Sequence, residues 1–337
     1  MFKSFFVDKK RVRLERIKDL LHLNFLQFLP FFSSNLPHKI FVNSIPKAGT
    51  NLLIKTLYRL PDVHGTTLSF HSEMYGTPWQ PWRPLRQRIW QCFPSERASY
   101  NLARQAKIDE GTDNLPPGFV PIGGFHKIFL PQKSLSTLLS HVRPGSFFDG
   151  HIPYSATFEH FLAKENFKSI FIVRDPRDVM LSELHYFLRE SSLALHPLYK
   201  TMGFEEGMLS IIRGFRNEQT DYPVQPSMRE IILEYLPWMD KSYVLLTRFE
   251  DLVGPHGGGN LNSQVETILL IANHIGVSLA PEEARKIGAT LFGGTHTFRR
   301  GKIGAWKKDF SAELKKQCKQ YIGDLLIQLG YEKNLDW

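Results

Sequence analysis

The sequence predicts one α/β domain with a central parallel β-sheet flanked by helices on both faces. Three observations carry that prediction. Short apolar runs alternate with helical patterns along the chain. Lys39–Ser44, Lys168–Val173 and Tyr243–Leu246 read as strands, Gly145–Pro153 as a short strand running into a loop, and Tyr154–Glu165, Val179–Glu190 and Ser311–Leu329 as helices. The predicted strands end in polar or charged groups: Lys47, His151, Arg174 and the run Arg248-Phe249-Glu250-Asp251. Ligands of open parallel sheets bind at those carboxyl ends. Finally, 337 residues at 42% hydrophobic can bury one large core, which argues against disorder.

Residues 1–38 are expected to form an amphipathic helical extension, with the domain proper at 39–337. Lys9-Lys10-Arg11-Val12-Arg13 is basic, and Ile17–Phe32 is apolar but broken by Asp19, His22, Asn24, Gln27 and Pro30. That stretch is too short and too polar to span a bilayer. No small-residue cleavage site follows it. It reads either as a helix packed on the domain or as a membrane-surface helix, with peripheral contact through residues 9–32. The placement expected is cytoplasmic, membrane-peripheral under the second reading.

Ile45-Pro46-Lys47-Ala48-Gly49-Thr50-Asn51-Leu52-Leu53 lies between the first strand and a helix marked by Leu52, Leu53, Thr56, Leu57 and Leu60. A helix starting there aims unsatisfied N–H groups and its positive dipole end at the loop, a ready anion site. Gly49 permits close approach, Thr50 adds a hydroxyl and Lys47 a charge. This makes the domain P-loop-type, although the lysine precedes the glycine, unlike the Walker order.

His64–Gly118 then reads as a long irregular insertion, rich in Pro and Trp around Pro78-Trp79-Gln80-Pro81-Trp82-Arg83-Pro84. Loops of that length serve as lids or binding loops, or as insertions stapled by their aromatics. Further on, Asp175 stands as an N-cap with Pro176 at the first helical position. Arg174 leaves the strand beside that helix start, and Ser182 follows eight residues later. Arg177 and Asp178 are expected in a structural ion network. Gly254–Gly259 reads as a flexible surface turn. Phe298-Arg299-Arg300-Gly301-Lys302-Ile303-Gly304-Ala305-Trp306 is a basic, glycine-broken loop able to close over a ligand.

The net charge of +9 favours anionic ligands, and with no nucleic-acid motif in view the expected ligand is a polyanionic small molecule. Two cysteines, Cys92 and Cys318, make no disulfide framework and have no metal-ligand neighbours. They are expected to be inert thiols in a reducing compartment.

Together, Pro46-Lys47-Ala48-Gly49-Thr50, Arg174 with Ser182, and Arg299-Arg300-Gly301 through Trp306-Lys307 resemble the sulfotransferases that use 3′-phosphoadenosine 5′-phosphosulfate (PAPS), the cytosolic type more than the Golgi type. The resemblance runs from about residue 39 to 325 and keeps the family's motif order. It implies that Lys47 binds the phosphosulfate bridge, and that Ala48, Gly49, Thr50 and Asn51 wrap the 5′-phosphate. It implies that Arg174 and Ser182 hold the 3′-phosphate, with Arg299, Arg300 and Gly301 from the lid. Phe249 stands where the family usually has a tyrosine near adenine, and Leu52 where many members stack a tryptophan. His151, in Gly150-His151-Ile152-Pro153, matches the catalytic base; His126 is a distant second. Asp149-Gly150 replaces the family's usual Lys-Thr, so one cation near the sulfuryl group is missing.

The implied reaction moves a sulfuryl group in line from PAPS to an acceptor hydroxyl, or less commonly an amine, and yields 3′-phosphoadenosine 5′-phosphate (PAP). No metal is called for, because helix ends and cations offset the leaving charge. A small-molecule, lipid or glycan acceptor fits, with 64–118 and 191–228 as acceptor-side insertions; oligomeric state stays open. Two rival readings stand beside it. One is a metal-dependent P-loop kinase with Asp149 on magnesium. The other is a non-enzymatic scaffold on the same fold.

Overall fold

Five strands run parallel in one sheet, and their carboxyl ends gather the residues singled out above. A computed structural model describes residues 34–70, 118–122, 128–191, 193, 195–216, 223–294 and 299–337. The predicted helical extension, the Pro/Trp-rich stretch, Cys92 and His126 lie outside those residues. The strands are β1 (Lys39–Ser44), β2 (His64–Phe70), the antiparallel pair β3 (Phe119–Ile122) and β4 (Ile128–Pro131), β5 (Ser146–Gly150), β6 (Phe167–Val173), the short pair β7 (Phe215–Arg216) and β8 (Pro223–Gln225), and β9 (Val244–Arg248). The main sheet has the order β2-β5-β1-β6-β9.

The helices are α1 (Thr50–Leu57), α2 (Gln132–Ser140), α3 (Ala156–Lys164), α4 (Pro176–Arg189), α5 (His196–Thr201), α6 (Phe204–Arg213), α7 (Met228–Met239), α8 (Phe249–Leu252), α9 (Leu261–His274), α10 (Pro281–Ala289), α11 (Trp306–Asp309) and α12 (Ala312–Gln328). Their starts follow local chemistry. Ser155 caps α3, Ser311 caps α12, and Asp175 caps α4 by accepting from Arg177 N, with Pro176 at the first position.

Side chains alternate across each strand, so the sheet separates two cores. Phe41, Phe148 and Phe171 pack on one side with α3, α4, α7 and α12; Ile40, Val42, Phe147, Ile170 and Ile172 pack on the other with α1, α8 and α9. Burial on both faces explains the continuous apolar stretches Ile40–Val42 in β1 and Ile170–Val173 in β6.

Two expectations change here. The stretch from His64 is not irregular at its start: β2 pairs with β5 from His64↔Ser146 to Phe70↔Gly150. An edge strand with one neighbour tolerates the Gly and Ser that hid it. Gly254–Gly259 is no loose turn. It contains a 3-10 turn, Pro255–Gly257, and a Cβ on the buried Gly257 would lie 2.8 Å from the carbonyl oxygen of Gly301. The segment 191–228 holds α5, α6 and the β7–β8 pair, and its Tyr199, Met208, Ile211, Ile212 and Met228 are core residues. No helix of the described residues is long and apolar enough to cross a membrane.

Candidate active site

The loop leaving β1 turns sharply. Lys47 adopts a left-handed backbone (φ 68°), an unfavourable state for a lysine that concentrates at functional sites. Ala48 N closes the turn on the Ile45 carbonyl at 3.1 Å. Gly49 precedes α1 at φ 119°, and a Cβ there would lie 2.9 Å from Cδ2 of Phe249. Glycine therefore lets the start of α1 close on α8. Thr50 is buried, its hydroxyl 2.5 Å from that of Ser44. Asn51 is exposed, and Leu52 is half-buried against the α1/α9 core.

His151 follows β5 and is strapped to the end of β1. Its Nδ1 lies 2.9 Å from the Ser44 carbonyl oxygen and 3.3 Å from the Ser44 hydroxyl. Asn43, buried at 2% exposure, holds the next residue: its Oδ1 accepts from Ile152 N and its Nδ2 donates to Ile152 O, both at 2.9 Å. Trp238 Nε1 adds a bond to the same carbonyl at 3.0 Å. With Nδ1–H donated to a carbonyl, the neutral imidazole carries its basic lone pair on Nε2. Sequence reasoning missed Asn43; a polar residue ending an apolar strand was its only signal.

Lys47 Nζ lies 3.4 Å from the centre of the Tyr186 ring. Burial, helped by Arg189, brings its pKa down to about 7, against the opposing pull of Glu183 and Glu190. Glu183 is fully buried and accepts from Gln225 Nε2 at 3.0 Å through Oε1, while Oε2 has no partner among the described residues. Burial pushes its pKa up to about 8, opposed by Gln225 and Lys47.

Arg174, just past the end of β6, also meets Phe249, its guanidinium 4.3 Å from that ring's centre. It donates to the Lys302 carbonyl at 2.9 Å and lies 3.7 Å from Asp178. Its Nε is buried without a partner among the described residues. Gly49 and Arg174 thus meet the same buried aromatic, so the Lys47 loop and Arg174 share one end of the sheet. Ser182 is half-buried on α4.

Arg177 does belong to a structural network. It lies between Trp306 at 3.8 Å and Trp337 at 4.4 Å, and binds Asp175 through Nε and Nη2 at 2.9 and 2.8 Å. Asp178 does more than balance charge. It accepts from Gly304 N at 2.7 Å and Trp306 N at 3.1 Å, which pins the basic loop to α4. From the opposite side Ile303 N donates to Gly257 O at 3.0 Å, and Lys302 Nζ to His256 O at 2.5 Å. Gly301 (φ 57°) and Gly304 (φ 68°) make the bends. Arg299 is half-buried, and burial, Arg300, Arg174 and Arg189 all lower its pKa. Arg189 acts in the same direction on Lys47. Arg300 is exposed and pairs with Asp309 at 3.4 Å.

Such a cluster can hold an extended polyanion and present an imidazole base beside it. Residues 37–291 match the family described as Sulfotransferase domain, and the chain belongs to that family. Nothing among curated protein sequences matches. Among solved structures, mouse sulfotransferase SULT7A1 complexed with PAP is similar over 87% of this chain and 86% of its own, at 15% identity and a TM-score of 0.50. Retinol dehydratase in complex with androsterone and PAP aligns over 87% and 82%, at 18% identity and a TM-score of 0.45. At these identities the likeness is one of fold.

Proposed function

We propose that this sulfotransferase takes PAPS as donor and moves its sulfuryl group to an acceptor hydroxyl, or less readily an amine. The supporting observation is the meeting of the Lys47 loop and Arg174 on Phe249. In this reading the Lys47–Asn51 loop and the α1 terminus take the 5′-phosphosulfate, and Arg174, Ser182, Arg299 and Gly301 take the 3′-phosphate. Phe249 and Leu52 border the adenine. His151 accepts the acceptor proton on Nε2 as the acceptor oxygen bonds to sulfur and the bridging oxygen departs. Lys47 stabilises the charge growing on that oxygen; one such donor contributes roughly 3–4 kcal/mol.

The acceptor is proposed to be a small molecule held by 64–118 and 191–228. β2 ends with Phe70 opposite Gly150, the residue before His151, and Gln225 bonds Glu183 near Lys47.

The test is His151→Ala, assayed for transfer from labelled PAPS and for PAP binding. Loss of turnover by about 10²-fold or more, with PAP affinity kept, is the expected result. Retained turnover removes His151 from the chemistry.

A further inference from the structure

Helix α4 carries one polar stripe at helical spacing: Asp178, Ser182, His185 and Arg189. Asp178 pins the basic loop, and Arg189 acts on Lys47 and Arg299. His185 has no task in the scheme above. Its Nε2 is buried and has no hydrogen-bond partner among the described residues. Its ring packs near Phe204, with centroids 6.2 Å apart. Burial, then Arg299 and Arg300, lower the pKa of the imidazole, and Asp309 opposes them. Arg174 Nε, at the strand end that starts the same helix, is also buried without a partner among the described residues. An orphaned ring nitrogen one helical turn from the Ser182 hydroxyl, within the field of Arg299 and Arg300, suits a ligand with anionic oxygens.

We propose that His185 is a specificity-determining ligand of the nucleotide's 3′-phosphate, donating Nε2–H to a phosphate oxygen beside Ser182 and Arg299. This inference rests on the PAPS reading of the site. A phosphate with two negative charges favours imidazolium, so the ring takes up a proton when the nucleotide binds. Affinity then falls as pH rises through the pKa of His185 in the complex.

The test is calorimetric titration of PAP and of 5′-AMP, which lacks the 3′-phosphate, into wild type, His185→Ala and His185→Gln. Buffers of different ionisation enthalpy report the protons exchanged. The expected loss for PAP in His185→Ala is about tenfold, the size of one hydrogen bond to a charged group, with 5′-AMP unchanged. The glutamine variant keeps part of the affinity, and wild type takes up more protons than it does. Equal losses for PAP and 5′-AMP, or the same proton uptake in wild type and His185→Gln, overturn the proposal. A wild type that does not prefer PAP to 5′-AMP overturns the donor reading instead.

Discussion

Glu183 lies on the apolar face of α4 with Val179, Met180 and Phe187, and the fold holds its proton. Its folded pKa of about 8 lies above the unfolded carboxylate value of about 4.3. The folded chain therefore binds more protons across that window, and this group's contribution to stability is lost as pH rises through it. Lys47 works the other way. Its pKa of about 7 lies below the unfolded value of about 10.4, so its contribution to stability grows with pH above neutrality. Glu183→Gln keeps the shape and an acceptor for Gln225 while removing the titration. We expect its melting temperature to fall less than wild type's between pH 5 and 8, and to lie above it at pH 8. Each kcal/mol removed is worth roughly 2–4 °C in a domain of this size. Parallel pH profiles for the two proteins would show that Glu183 does not titrate there. The helical period from Val179 to Phe187 already places this glutamate inward in the sequence. Reading only the spacing from Arg174 to Ser182 picks out the polar stripe and passes over it.

Among the elements, the basic loop and α4 behave as one unit. Arg299–Trp306 is fastened by Asp178 on one side and by the Pro255–Gly257 turn on the other. Asp178→Asn leaves one acceptor oxygen where two now serve Gly304 N and Trp306 N, and it removes the charge facing Arg174. We expect trypsin to cut at Arg299, Arg300 or Lys302 several-fold faster in that variant, with a parallel loss of PAP affinity. Cleavage at the wild-type rate would mean that the loop does not depend on this anchor. The elements legible in the sequence are those whose burial is complete. β1 and β6, apolar on both faces, stand out, and so does α4 with its Asp175-Pro176 start. β2 was hidden because an edge strand takes one neighbour and needs no continuous apolar face. The grip of Gly257 on the loop was hidden for another reason. It depends on two backbones about 45 residues apart meeting through the absence of a side chain, which no local pattern encodes.

Across the whole molecule, four strand ends bring Lys47, His151, Arg174 and Phe249 to one edge of the sheet, and the net charge of +9 supplies a field that draws anions there. Burying so many cations together opposes folding, and a ligand with phosphates at both ends relieves it. PAP should therefore stabilise the fold more than 5′-AMP at equal concentration. A hundredfold excess over Kd is worth about 2.7 kcal/mol, or about 5–10 °C for a domain of this size. Arg174→Ala should erase the excess shift of PAP over 5′-AMP while leaving the 5′-AMP shift intact. Salt should shrink the shift only in part, because screening acts weakly on buried groups such as Arg174 and Lys47. Equal shifts for the two nucleotides, or an Arg174→Ala loss shared equally between them, would mean that Arg174 does not read the second phosphate and that the two cationic ends do not grip one nucleotide.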